Sequence, residues 1–140
     1  MIEYDKFKKS LKQLELQFAN FERSAQRADL SSLDREAIAE SVIQRFETCY
    51  DCIWKHLKRF MSENLGLPDI PNSPKPILRI AADNQLFRSP TEQWLAYADA
   101  RIQTAHDYDG AKAKVALALM RDFIGDATAL YETLSGEPWA

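Results

Sequence analysis

The sequence predicts an all-α protein, a bundle of four long helices and one short one, and three observations predict it. Glycine is scarce, 4 in 140 residues, so few positions suit tight turns. Most of the 6 prolines crowd into one short stretch, which leaves the rest of the chain free of helix breakers. Apolar residues recur at spacings of three and four through every long segment, the period of an amphipathic helix.

The first helix is expected over about Asp5 to Ala28. Phe7, Leu11, Leu14, Phe18 and Phe21 form its apolar stripe, with Lys and Glu between them. It ends in "RADLSSLD", where Ser31 and Asp34 are candidate caps. The second helix is expected from about Asp34 to Asn64. Val42, Phe46, Cys49, Ile53, Leu57 and Phe60 make one stripe, and Ile43, Tyr50, Trp54 and Met61 a second beside it. An apolar arc this wide predicts a central helix covered by several neighbours. Gly66 and Pro68 stop it.

"GLPDIPNSPKP", residues 66–76, reads as a stiff crossover. Ser73-Pro74 then gives an N-cap and a first-turn proline for a short helix ending near Asn84. "SPTEQW" repeats the signal: Ser89 as N-cap, Pro90 as the first helical residue, Glu92 completing a capping box. This fourth helix is expected to turn Trp94, Leu95, Ala98, Ile102 and Ala105 inward and to fail near His106, at "DYDG". The last helix begins near Gly110. Ala116, Met120, Phe123, Ala127, Leu130 and Leu134 run inward along it.

At 140 residues, with 46% hydrophobic and 28% charged residues, the chain suits one domain spanning residues 1–140. No apolar run approaches the roughly 20 residues of a membrane span. The start, Met1-Ile2-Glu3-Tyr4-Asp5, is too polar for a signal peptide, so a cytoplasmic protein is expected. The net charge of −3 and the lack of a basic stripe argue against a general nucleic-acid coat protein. They are compatible with a small site acting on a few nucleotides. No cofactor is expected.

Two groups of residues invite a chemical reading. Cys49, Cys52 and His56 share one helix face, but no fourth ligand accompanies them and a mid-helix CxxC lacks the strand of a redox motif. Buried packing is the simpler expectation, and no metal site is assigned. The second group is Arg101, His106 and Tyr108 in "RIQTAHDYD". One reading is a helix-end histidine on the last carbonyls beside a half-buried turn tyrosine. The other is a site. Positions five apart diverge by about 140° on an unbroken helix. A helix ending between Arg101 and His106 lets the turn bring them together. Asp107 or Asp109 could then fix the imidazole tautomer. Histidine takes the proton from a ribose 2′-hydroxyl or gives one to the leaving oxygen, and arginine holds the phosphate bidentately, which together suit RNA cleavage without a metal. One histidine supplies half of an acid–base pair, and a twofold dimer would supply the rest.

These residues also carry a family resemblance. "RIQTAHDYD" resembles the R-x4-H-x-Y motif of HEPN-domain toxins, at Arg101, His106 and Tyr108. "SVIQRFETCYDCIWKHLKRF" resembles the central helix of the same family, through Val42 to Glu47, Trp54-Lys55 and Leu57-Lys58. "SPKPILRIAADNQLF" and "WLAYADAR" resemble its next segments, so the similarity covers about residues 5 to 135. The family is that of the nucleotidyltransferase substrate-binding proteins, a branch of HEPN proteins found beside a minimal nucleotidyltransferase, MNT. The resemblance implies an antiparallel four-helix bundle that forms a homodimer. It implies a toxin of a type VII-like HEPN/MNT toxin–antitoxin pair, a metal-independent endoribonuclease with Arg101 and His106 as catalytic residues. It implies silencing by the MNT antitoxin, which transfers AMP to the motif tyrosine, here Tyr108. The chain departs from the pattern at Ile102, where a polar residue is usual, and at Ala100, where an acid is common. A non-catalytic subunit that docks the nucleotidyltransferase is the alternative reading, and a purely structural bundle the third.

Overall fold

The computed structural model describes residues 1–105 and 110–140. These residues form five helices and no strand: α1 (Asp5–Ser24), α2 (Ser32–Glu63), α3 (Pro74–Asp83), α4 (Thr91–Thr104) and α5 (Gly110–Ser135). The helix α2 touches each of the other four. Its two predicted stripes explain this: Val42, Ile43, Phe46, Cys49, Tyr50, Ile53, Leu57 and Met61 are all buried, an arc too wide for one neighbour to cover.

The directions of the long helices follow from their contacts. Arg35 near the start of α2 donates to the carbonyl of Ser24 at the end of α1, whereas the Phe7 ring near the start of α1 meets His56 late in α2. These two helices are therefore antiparallel. Trp94 and Tyr97 on α4 pack edge-on against Phe123 on α5, and the two helices approach in chain order at Thr104 and Gly110, so they too are antiparallel. Phe7 meets Tyr131 while Arg121 pairs with Glu22, which sets α1 antiparallel to α5. Phe46 against Phe123, with ring centroids 4.9 Å apart, ties α2 to α5 in the middle of the core.

Several boundaries differ from the sequence expectation. The first helix stops at Ser24, short of Ala28, and turns into α2 through the Arg35 side chain. The start of α2 is capped by Ser31, whose hydroxyl accepts from the Asp34 backbone N–H while the Asp34 carboxylate accepts from the Ser31 N–H. Asp34 is therefore the partner of the cap rather than the cap. At α4 the expected Ser89–Glu92 box does not form: Pro90 occupies the N-cap position, and the Ser89 hydroxyl is buried without a hydrogen-bond partner. The inward face of α4 is also rotated from the expected one. Trp94, Tyr97, Ala98, Ala100 and Thr104 are buried, whereas Ile102 is 53% exposed and Ala105 is exposed. The inward run 97, 100, 104 keeps the three-and-four spacing of a single face toward α2 and α5, and position 102 falls outside it.

Candidate functional site

Arg101 lies on the last turn of α4. Facing it from the middle of α2 are Glu47 and Asp51, four residues apart and hence on one face. The Arg101 Nε donates to Asp51 Oδ1 at 3.3 Å and its Nη2 to Asp51 Oδ2 at 3.1 Å, a forked pair. Its Nη1 donates to Glu47 Oε2 at 3.2 Å. That same oxygen accepts the hydroxyl of Thr104 at 2.9 Å, and Thr104 is fully buried. Glu47 thus links two residues one turn apart at the end of α4 to the centre of the bundle. The Arg101 side chain is 27% exposed and that of Glu47 12%, so these charges interact with less screening than at an open surface.

Arg101 is the one predicted site residue within the described part of the chain. His106, Asp107, Tyr108 and Asp109, the other four, lie outside the described residues. The chain leaves α4 at Ala105 and re-enters helix at Gly110, whose φ of 64° is left-handed backbone that favours glycine. Glu47 and Asp51 are site residues that sequence reasoning missed. Their signal was two acids at i, i+4, with Glu47 interrupting the stripe of Ile43, Tyr50 and Trp54, where an unpaired carboxylate is costly.

A groove of about 490 Å³ opens beside Arg101, between α2, α3 and α4. Tyr50, Trp54, Pro74, Ala98 and Ile102 give it an apolar interior, and Lys55 and Lys75 stand with Arg101 among its lining residues. Lys75 pairs with Asp99 at 2.6 Å. On the other side of Asp51 and Lys55 a larger and more polar hollow, about 620 Å³, is lined by Glu3, Lys6, Cys52, His56 and Arg59.

Cys52 and His56 line that hollow, and Cys49 lies in the core behind it. Among the described residues no group of three or more His, Cys, Asp or Glu is arranged to hold a metal ion. Cys49 is fully buried, and burial pushes its thiol up to about 12; burial also raises the Cys52 thiol. Neither has the thiolate character of a reactive cysteine. His56 packs between Tyr4 and Phe7, with Nδ1 2.8 Å from the Cys52 carbonyl oxygen and Nε2 3.1 Å from that of Glu3. It fastens the N-terminal segment to α2.

The tyrosines within the described residues are poorly placed for chemistry at the hydroxyl. Tyr50, Tyr97 and Tyr131 are buried, and the Tyr4 hydroxyl is enclosed at the N-cap of α1. Tyr97 donates to Asp126 at 2.5 Å. Burial raises the Tyr50 and Tyr97 phenols above their ordinary value, with the bond to Asp126 adding to the shift at Tyr97.

Comparison with known proteins adds an independent line. The family model described as nucleotidyltransferase substrate binding protein like matches residues 2–136. A Haemophilus influenzae protein named "Probable ribonuclease HepT" is 32% identical over 105 residues, covering 74% of this chain and 71% of that protein. A solved Haemophilus influenzae structure, described as the fold of a substrate binding domain of a nucleotidyltransferase, matches with a TM-score of 0.68 and 30% identity, over 89% of this chain and 98% of that one. A crystal structure of a Thermus thermophilus protein matches with a TM-score of 0.65 and 26% identity, over 86% of this chain and 98% of that one.

Proposed function

The chain belongs to the family of nucleotidyltransferase substrate-binding-like proteins, within the HEPN group, and on that premise we propose that it is the ribonuclease toxin of a HEPN/MNT toxin–antitoxin pair. Arg101 holds the scissile phosphate, and His106 takes the proton from the 2′-hydroxyl or gives one to the leaving oxygen. Asp107 or Asp109 orients the imidazole. The reaction needs no metal ion. A homodimer that joins the ends of α4 across a twofold axis supplies the second half of the acid–base pair. The protein acts in the cytoplasm, where its partner nucleotidyltransferase transfers AMP from ATP to the Tyr108 hydroxyl with release of pyrophosphate, and so adds bulk and negative charge beside Arg101.

The single observation that carries this reading is the placement of Arg101. A half-buried guanidinium is held in forked geometry at a helix end, beside a groove, in register with an R-x4-H-x-Y motif. A carboxylate and a phosphate present the same pair of oxygens to that fork. The burial of the Tyr50, Tyr97 and Tyr131 side chains and of the Tyr4 hydroxyl supports Tyr108 as the acceptor.

The test is expression of the chain with and without its partner, reading growth, RNA integrity and intact mass. Growth arrest with RNA cleavage is expected from the chain alone, and its loss in Arg101→Ala and in His106→Ala. Co-expression should restore growth and add AMP at Tyr108. A folded Arg101→Ala that still cleaves RNA would overturn the catalytic assignment.

A second reading has its own observation. The Arg101 guanidinium is engaged by Glu47 and Asp51, and the adjoining Ile102 is exposed and apolar. An arginine locked in ion pairs beside an apolar residue suits a non-catalytic subunit that docks the nucleotidyltransferase. Absence of growth arrest, with a stable complex, would select it.

A further inference from the structure

We propose that the groove between α2, α3 and α4 is a nucleobase subsite, which takes a base of single-stranded RNA next to the phosphate held by Arg101. The inference rests on the ribonuclease reading for its substrate class and on the groove itself for its position and chemistry.

The groove has the two properties that a nucleotide needs. Its interior is apolar and partly aromatic, with Trp54, Pro74, Ala98 and Ile102 contributed by three different helices. A volume of about 490 Å³ falls in the range of sites that enclose a small molecule. Its charged lining is Lys55, Lys75, Arg101 and Asp51; Lys75 pairs with Asp99, and Arg101 with Asp51 and Glu47, so a phosphodiester would exchange with those carboxylates. The Lys55 ammonium lies over the Trp54 ring, 5.7 Å from its centroid, so the aromatic face already holds a cation that a base would share or displace. Stacking on an aromatic side chain with a neighbouring cation is how single strands are held without sequence readout, because every base has a π-face. Arg101 lines the same groove, so a phosphate on its guanidinium and a base on Trp54 belong to adjacent parts of one strand. The walls are helical, which holds the subsite in fixed register with the arginine.

The experiment measures binding apart from cleavage. The probes are a 2′-O-methyl trinucleotide, which cannot be cleaved through its 2′-hydroxyl, and the same trinucleotide with one abasic position. The full-length protein should bind the intact probe more tightly than the abasic one, by on the order of tenfold. Trp54→Ala should erase that difference and Trp54→Phe should retain most of it. Ile102→Glu, at an exposed position that leaves the core untouched, should weaken the intact probe at least as much as the abasic change does, so the test survives a poorly folded Trp54 variant. Equal affinity for the two probes, or a folded Trp54→Ala that still distinguishes them, overturns the subsite even if the protein cleaves RNA. Base-dependent binding through Trp54 without RNA cleavage leaves the subsite standing and removes the ribonuclease reading. No binding of either probe, with Ile102→Glu instead breaking the complex with the nucleotidyltransferase, overturns the proposal and makes the groove a protein-docking site.

Discussion

Truncating Glu47 tests whether α2 fixes the position of Arg101. Among the described residues, Glu47→Ala removes the acceptor of hydrogen bonds from Arg101 Nη1 at 3.2 Å and from the Thr104 hydroxyl at 2.9 Å. Thr104 is fully buried and is left with the Arg101 carbonyl at 3.3 Å, a long bond within its own helix. A hydrogen bond to a charged group contributes about 1.5–3 kcal/mol and a neutral one about 1 kcal/mol. The Arg101 side chain is 27% exposed and keeps its fork to Asp51, so water and Asp51 offset part of the loss. The expected cost is about 2 kcal/mol, from the lower end of these ranges. For a chain of this size that corresponds to a fall in Tm of roughly 6–10 °C. Glu47→Gln keeps an acceptor for Thr104 and loses only the charge, and should cost about half as much. Thermal melts of both variants, and of each combined with Thr104→Val, give a double-mutant cycle with an expected coupling of about 1 kcal/mol. RNA cleavage per folded molecule should fall in Glu47→Ala, because the guanidinium loses one of its two anchors on α2. A Tm within about 2 °C of the parent, together with additive double mutants, would refute the claim that Glu47 ties the end of α4 to the core.

Other outcomes follow from neighbouring geometry. Arg101→Lys should lose cleavage almost as fully as Arg101→Ala while keeping the fold, because an ammonium cannot reproduce the planar fork seen on Asp51; restored cleavage in the lysine variant would sink the bidentate role. Ser31→Ala should cost about 1 kcal/mol through loss of the hydroxyl that caps the Asp34 N–H, read as a lower urea midpoint with an unchanged slope. Stability should also fall on the alkaline side. The Cys49 thiol is raised to about 12 in the fold from an ordinary value of 9.0, so its contribution is complete below pH 9 and is lost as pH rises toward 12, at up to ~1.4 kcal/mol per pH unit. Burial shifts the Tyr50 and Tyr97 phenols in the same direction, adding to the loss above pH 10. Urea titrations at pH 8 and pH 10 check this, and Cys49→Ala should have the shallower dependence; an identical dependence in both proteins would contradict it.

The helices were legible in the sequence because each depends on a local period. The stripes of α1, α2 and α5 set the core by spacing alone, and every residue assigned inward on α5 is buried. The errors fall where a tertiary contact overrides a local signal. Ser89-Pro90-Thr91-Glu92 has the composition of a capping box, yet packing of Phe87 on Trp94, with ring centroids 4.4 Å apart, fixes the approach to α4 and leaves the Ser89 hydroxyl without a partner. On α4 the aromatic network decides the rotation. Tyr97 carries a polar hydroxyl and was not assigned inward, but it is fully buried between Trp94 and Phe123, with its hydroxyl satisfied by Asp126. Turning Tyr97 in turns Ile102 out.

The candidate site was legible only in one stretch of the sequence. An arginine, a histidine and a tyrosine gathered into one short stretch stand out in a chain with 2 histidines. The carboxylates that hold the arginine lie 54 and 50 residues earlier in the chain, and nothing local pairs them with it. Glu47 does break the apolar pattern of α2, and a carboxylate on a buried face demands a partner, whereas Asp51 is 38% exposed and signals less. Such a pattern states that a cation or a donor must arrive, but it does not name which one. Arg101 meets the demand because Tyr97, Ala100 and Thr104 turn α4 so that the arginine points at α2 rather than at solvent. The rotation that made Ile102 an error in the core assignment is therefore the rotation that brings Arg101 to its carboxylates. An apolar residue at position 102 then serves the groove beside Trp54 rather than the core.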